Sequence, residues 1–139
     1  MKINLNIKNK KYFKLLNKIT EISYEILIKF IKKHPHKYDN IIIDIELIPF
    51  EFLINERLTG CYAQAYFYKT KNKINKQIIE FSPQINAFNK RQLKLIVAHE
   101  LAHSIDFLIR GENFKDHDAE WKEIAIILKT QPTFTIDIN

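Results

Sequence analysis

Residues 89–111 constrain the fold more than any other segment, because they carry the signals of one long helix. Asn89 can cap the free N–H groups of the first turn, and Gln92 completes a capping box three residues later. Gly111 is the residue type at which such a helix ends. Apolar side chains recur at three- and four-residue intervals, which is the spacing of one helical face; they are Leu93, Ile96, Val97, Leu101, Ile105 and Leu108. The segment therefore predicts a long helix with one apolar face.

The middle of this predicted helix has the sequence His99-Glu100-Leu101-Ala102-His103. Residues four apart share a helical face, so both imidazoles can reach one metal ion. Glu100 is rotated by about 100° from His99, which places its carboxylate where it can hold a water molecule and accept its proton. This is the HExxH arrangement of zinc hydrolases. The alternative is a pair of hydrogen-bonded core histidines, but a metal ion would better satisfy two imidazoles on an apolar face.

A catalytic zinc ion usually has a third protein ligand. The metzincin pattern would place a histidine at position 109, which is Ile109, and the only methionine is Met1, so this class is excluded. His117 is a candidate because the glycine that ends the helix allows the chain to reverse. Glu123 is its rival, one turn inside the following helix, and Glu120 is a weaker candidate. Spacing favours His117 and leaves Glu123 open.

The motif and the segment after it resemble the SprT-like metallopeptidase domain. In that family, HExxH is followed by a loop and by a His-Gly-x-x-Trp/Phe element. The matching residues here are His117-Asp118-Ala119-Glu120-Trp121. The resemblance implies a zinc metalloendopeptidase with His99, His103 and His117 as metal ligands. It also implies that Glu100 is the catalytic base.

The resemblance extends upstream and covers residues 40–138. Gly60 with the strand after it, and then residues 79–83, are similar to the strand pair that precedes the active-site helix in that family. The resemblance implies a zincin-like fold, Zn²⁺ as the cofactor and protein or peptide substrates, which in some relatives are proteins crosslinked to DNA. This chain departs from the family in two ways: Asp118 stands where the family usually has glycine, and a single cysteine, Cys61, cannot build the C-terminal zinc ribbon that relatives often carry.

The remaining elements are predicted from periodicity and turn signals. Apolar spacing over residues 11–33 predicts a helix, and the β-branched, partly alternating residues 41–48 predict a strand. Residues 61–68 and 77–81 predict an antiparallel hairpin, and residues 118–129 predict a last helix. The order helix, strand, hairpin, helix, helix predicts an α+β fold, in which a small antiparallel or mixed sheet packs with the active-site helix and flanking helices.

Length and composition predict a single domain over residues 1–139, with an N-terminal helical part at residues 1–40. No apolar run is long enough to cross a bilayer, and the first residues are too polar for a signal peptide, so a cytoplasmic location is expected. The net charge of +6 is compatible with nucleic-acid binding. It is equally typical of a lysine-rich composition without a compact arginine cluster.

Several further side chains allow two interpretations each. Asp106 lies on the same face as the two helix histidines, so it either orients one of them or is a surface residue. Trp121 is predicted to be a core residue rather than a substrate platform, and Cys61 a small buried side chain. Two other functions stay open: hydrolysis of another amide by the same metal site, and a zinc-stabilised nucleic-acid-binding or adaptor module without catalysis.

Overall fold

The computed structural model describes residues 1–8, 10–113 and 115–139. Within them, no helix is long and apolar enough to cross a membrane. The strands and α-helices follow in the order β1 (Ile3–Asn6), α1 (Phe13–Lys33), α2 (Ile42–Leu47), β2 (Phe50–Ile54), β3 (Ala63–Thr70), β4 (Lys73–Phe81), α3 (Lys90–Arg110) and α4 (Ala119–Ile127).

The strands of the described residues form one mixed sheet in the order β1-β2-β4-β3. β1, β2 and β4 run parallel, and β3 is antiparallel to β4 at one edge. The register aligns Phe52 with Ile79, and Ile79 with Ala65, so one face of the sheet is apolar and buried. On the other face Tyr66 donates a hydrogen bond to Glu80. The helices therefore cover one face, which confirms the predicted α+β class.

The long helices α1 and α3 pack against each other over this buried face. The apolar face of α1 includes Leu16, Ile19 and Leu27, all of which are fully buried. In α3 the predicted capping box is present: Asn89 accepts the N–H of Gln92, and the side chain of Gln92 accepts the N–H of Asn89, each at 2.9 Å. α3 also contacts β3 and α4, so it lies at the centre of the domain.

The prediction of a strand at residues 41–48 is wrong. The structure has a short 3₁₀ helix that ends at Ile41, followed directly by α2. Ile41 and Ile45 are buried while Ile43 and Leu47 are exposed, and a buried pair four residues apart is helical spacing rather than alternation. Short apolar runs are ambiguous between helix and strand, and β-branched residues follow the tertiary context.

Two features of the sheet extend beyond the sequence predictions. β1 lies inside the N-terminal part that was predicted to be helical only, and it pairs with β2 over four residues. The predicted hairpin is confirmed, but β3 is shifted by two residues from the predicted strand, β4 begins four residues earlier, and the turn is tighter, with Lys71 and Asn72 both at positive φ. This is the conformation of a two-residue turn that matches the twist of the sheet. Segments of four residues, such as β1, contain too few alternations to be recognised.

Candidate metal centre

Three imidazoles converge between α3 and the loop that precedes α4. The Nε2 atom of His117 lies 3.1 Å from Nε2 of His103 and 3.3 Å from Nε2 of His99. Candidate ligand atoms of the three residues lie within 4.8 Å of one another. Tetrahedral zinc with Zn–N distances of 2.0–2.1 Å requires N···N separations of about 3.3 Å. The observed spacing fits one metal ion held by three Nε2 atoms.

The environment keeps two of these imidazoles neutral. Burial, together with the neighbouring His103 and His117, lowers the pKa of His99 to about 3. Burial likewise lowers the pKa of His103 to about 3, with His117 as the second cause. A metal ligand must present a lone pair, so these imidazoles are in the protonation state that metal binding requires.

Glu100 lines the same cleft as the three histidines. Its side chain is buried, and among the described residues its Oε2 atom has no hydrogen-bond partner. Burial raises the pKa of this carboxyl to about 8, and the charge of Asp116 adds to the effect. A buried carboxyl oxygen without a hydrogen-bond partner destabilises the fold, so its presence calls for an explanation. One explanation is that this carboxyl group accepts a proton during a reaction.

Trp121 packs against all three histidines of the cluster. It is fully buried, which confirms the prediction of a core residue. Its ring centroid lies 4.8 Å from that of His99, 4.9 Å from that of His103 and 4.6 Å from that of His117. Asp118 caps α4 by accepting the N–H of Trp121, so the cap of α4 also positions Trp121 against the histidines.

The rival carboxylates lie elsewhere. Glu123 forms an ion pair with Lys37, and Glu120 lies 3.2 Å from the guanidinium of Arg110. In the described part of the chain, the group of side chains placed to hold a metal ion consists of the three histidines alone. Asp106 is buried, so it is not a surface residue. In the described contacts it does not bind an imidazole either, because both of its oxygens accept N–H groups of Arg110 at 2.7 and 2.6 Å.

The sequence missed three features of the site. The carboxylate of Asp116 lies 3.4 Å from Nδ1 of His103 and 3.5 Å from Nδ1 of His117, and only its position next to His117 hinted at this. Arg110 binds Asp106, a contact that the spacing of four residues on one helix could have indicated. Cys61 is exposed at the cleft, so the prediction of a buried thiol is wrong. β3 begins only at Ala63, which leaves this cysteine in the preceding loop.

The cleft in front of the histidines has a volume of about 710 Å³. The start of β3, the edge strand of the sheet, lines the cleft together with Ile96 and Phe107 of α3. Phe134 and Ile136, from the segment after α4, also line it. The cleft therefore combines apolar side chains with the polar cluster.

The model of the SprT-like family matches residues 29–139, which include the HExxH motif, the loop and the third histidine. This chain belongs to the SprT-like family. Protein SprT of Pseudomonas fluorescens (strain SBW25) is 30% identical over 90 residues, which cover 51% of this chain and 55% of that protein. The chain thus spans little more than half the length of this curated relative. No solved structure matches it significantly.

Proposed function

We propose that this chain is a zinc-dependent metalloendopeptidase. The observation that carries the proposal is the convergence of three Nε2 atoms in a cleft shared with Glu100, whose buried Oε2 atom has no hydrogen-bond partner among the described residues. In this proposal His99, His103 and His117 hold the ion, and Glu100 is the general base. Membership of the SprT-like family supports a metallopeptidase-type activity.

The donor set favours zinc over other ions. Three imidazoles at tetrahedral spacing are typical of catalytic zinc sites, which leave a further position open. Hard ions such as Mg²⁺ and Ca²⁺ prefer oxygen ligands, which this cluster does not offer. When bound, zinc supplies a Lewis acid that polarises a carbonyl group and lowers the pKa of water from about 15.7 towards about 7.

The chain's own residues move the proton and exclude solvent. Oε2 of Glu100 accepts a proton from the attacking water and returns it to the nitrogen of the leaving amine. Its buried position raises its proton affinity, so it is a stronger base than a carboxylate at the surface. Trp121 is buried and packs against all three imidazoles, so it excludes solvent from that side of the cluster.

The edge strand along the cleft suits a peptide in an extended conformation. β3 is an edge strand, so the backbone groups on its outer side are not paired within the sheet of the described residues. A substrate strand can add to this edge by β-augmentation, which fixes the backbone and leaves alternate side chains to contact the apolar residues of the cleft. We therefore propose protein or peptide substrates rather than small amides.

A link to nucleic acid is the least supported part of the proposal. The net charge of +6 supports attraction to a polyanion. Four lysines lie at or near the turn of the β3–β4 hairpin, but one of them, Lys76, is paired with Glu51 at 3.0 Å. Action on DNA-associated proteins, in the cytoplasm, remains a hypothesis that an activity assay has to test.

The test is cleavage of casein and of histones by zinc-loaded protein, with and without single-stranded DNA, and with Glu100→Gln as the control. We expect the wild type to cleave and the variant not to. Cleavage that DNA stimulates would support action on DNA-associated proteins, and cleavage indifferent to DNA would indicate general proteolysis. A zinc-loaded wild type that cleaves no protein under either condition would contradict the proposal and favour the adaptor function or another amide substrate.

A further inference from the structure

Arg110, the last residue of α3, forms an unusually complete set of ion pairs. Its Nε and Nη2 atoms donate to the two oxygens of Asp106 at 2.7 and 2.6 Å. On its other edge, Nη2 donates to Oδ1 of Asp118 at 2.8 Å, and Nη1 donates to Oδ2. Nη2 also lies 3.3 Å from the backbone oxygen of Lys115. The guanidinium thus connects the end of α3 to both sides of His117.

The backbone of His117 needs such support. Its φ angle is +57°, which is the left-handed region. A residue other than glycine rarely adopts this conformation, which persists only where the surroundings determine it. Asp118, the next residue, stands where the family usually has glycine, and a glycine could not make these bonds to the arginine.

We propose that Arg110 is a positioning residue that holds His117 over the histidines of α3 and so sets the affinity of the site for zinc. The inference rests on the proposed metal site. Arg110 contacts Asp106 inside α3 and Asp118 at the cap of α4, and His117 lies between these two anchors in the loop. The bidentate bonds on both edges of the guanidinium fix its orientation, which a single-point contact would not.

Asp118 has two roles that one substitution separates. It caps α4 by accepting the N–H of Trp121, and it binds Arg110. Asparagine caps a helix about as well as aspartate, but it has no charge and a single acceptor oxygen. Asp118→Asn therefore keeps α4 and weakens the contact to Arg110. Arg110→Met removes the contact, and Arg110→Lys keeps the charge without the planar fork.

The matched control is Glu123→Gln. Glu123 also lies on α4 and also forms an ion pair, with Lys37, but neither residue of this pair belongs to the histidine cluster. Its removal reproduces the loss of one charged contact on α4 without touching the loop of His117. The two effects, on the fold and on the metal site, can then be compared between variants.

The experiment measures the dissociation constant for Zn²⁺ by competition with a chelator in the full-length chain, together with the free energy of unfolding without metal. We expect Arg110→Met and Asp118→Asn to weaken zinc binding by about tenfold or more, as loss of a residue that orients a ligand does. Arg110→Lys should recover part of the affinity, and Glu123→Gln should bind zinc like the wild type. The visible spectrum of the cobalt-substituted proteins should change only in the Arg110 and Asp118 variants.

Unchanged zinc affinity in folded Asp118→Asn and Arg110→Met would overturn the proposal, and so would an equal loss in Glu123→Gln. If Arg110→Met does not fold, Asp118→Asn and Arg110→Lys carry the test, because both keep a native-like contact. A wild type that binds zinc but cleaves no protein would contradict the peptidase function and leave this inference standing. A wild type that binds no zinc would contradict both.

Discussion

Two carboxyl groups on α3, six residues apart, differ in their hydrogen bonding. Glu100 is 5% exposed and Asp106 is 1% exposed, so burial does not distinguish them. Burial raises the pKa of both carboxyl groups, and for Asp106 the contact with Arg110 opposes this effect. Oε2 of Glu100 has no partner among the described residues, whereas both oxygens of Asp106 are hydrogen-bonded. The partner, and not the burial, distinguishes the carboxyl group that we propose as the general base from the one that binds Arg110.

The same difference divides the two halves of the site. At the histidines, Nδ1 of His99 and Nδ1 of His117 form no hydrogen bond within the described chain. One turn further along α3, the buried carboxylate of Asp106 is paired with Arg110, which is paired in turn with Asp118. In the metal-free protein, substitutions in the first region should therefore reduce function with little loss of stability, and those in the second should reduce stability first.

The largest effect is expected for Glu100→Gln. Glutamine has nearly the same shape but cannot accept the proton, so kcat should fall by about 10³-fold. Zinc content should be retained, and the free energy of unfolding should be unchanged or higher, because a costly buried acid is removed. Peptide cleavage, metal analysis and denaturant titration measure these quantities. A variant that loses stability as well as activity would break the contrast with Asp106.

Removal of the metal or of one ligand should produce the next largest effect. Zinc at about 1,000 times its dissociation constant stabilises a protein by about 4 kcal/mol, so a chelator should lower the unfolding free energy of the wild type by this order. His117→Ala should lose zinc and become insensitive to the chelator. Glu123→Ala should retain zinc. Loss of zinc in the glutamate variant alone would contradict the ligand assignment.

A smaller effect, of the opposite kind, is expected for Asp106→Asn. Hydrogen bonds to charged groups contribute about 1.5–3 kcal/mol. Arg110 keeps Asp118 as a partner, so the unfolding free energy should fall by about 2 kcal/mol. Measured without metal, this loss should exceed that of Glu100→Gln, while cleavage at saturating zinc stays close to the wild-type rate. A variant as stable as the wild type but inactive would show that Asp106 takes part in the reaction.

The sequence predicted α3 well, because its boundaries and its chemistry are both local. A capping box, a terminal glycine and two histidines four apart all depend on residues within a few positions of one another. The helical periodicity of α1 and the β3–β4 hairpin follow from similar patterns. α2 was missed because its isoleucines suit a strand equally well, and only packing against the rest of the domain decides between the two.

The contacts of Arg110 with Asp118 and of Asp116 with the histidines could not be predicted for a related reason. Both depend on the conformation of the loop between α3 and α4, which has no periodic pattern to read. Spacing favoured His117 as a ligand and the family resemblance implied it, and the structure brings it to the two helix histidines. The metal itself, and the role of each residue, remain predictions that the variants above address.

The smallest effect is expected for Phe134→Ala, which extends the comparison to the rim of the cleft. Phe134 is 72% exposed, yet its ring centroid lies 4.6 Å from that of His117. An exposed side chain contributes little to stability, so the unfolding free energy and the zinc affinity should not change. A peptide bound in the cleft would bury part of this ring, at about 25 cal/mol per Å², so KM should rise about threefold with kcat unchanged.

Kinetics with one apolar peptide substrate, for Phe134→Ala and for the more conservative Phe134→Leu, measure this effect. Leucine retains much of the apolar area, so its KM should lie between those of the wild type and the alanine variant. If KM is unchanged in both, the segment after α4 does not contact the substrate. If zinc affinity falls instead, Phe134 belongs with Arg110 among the residues that hold His117. The structural part of the site would then include the segment after α4 as well as α3 and α4.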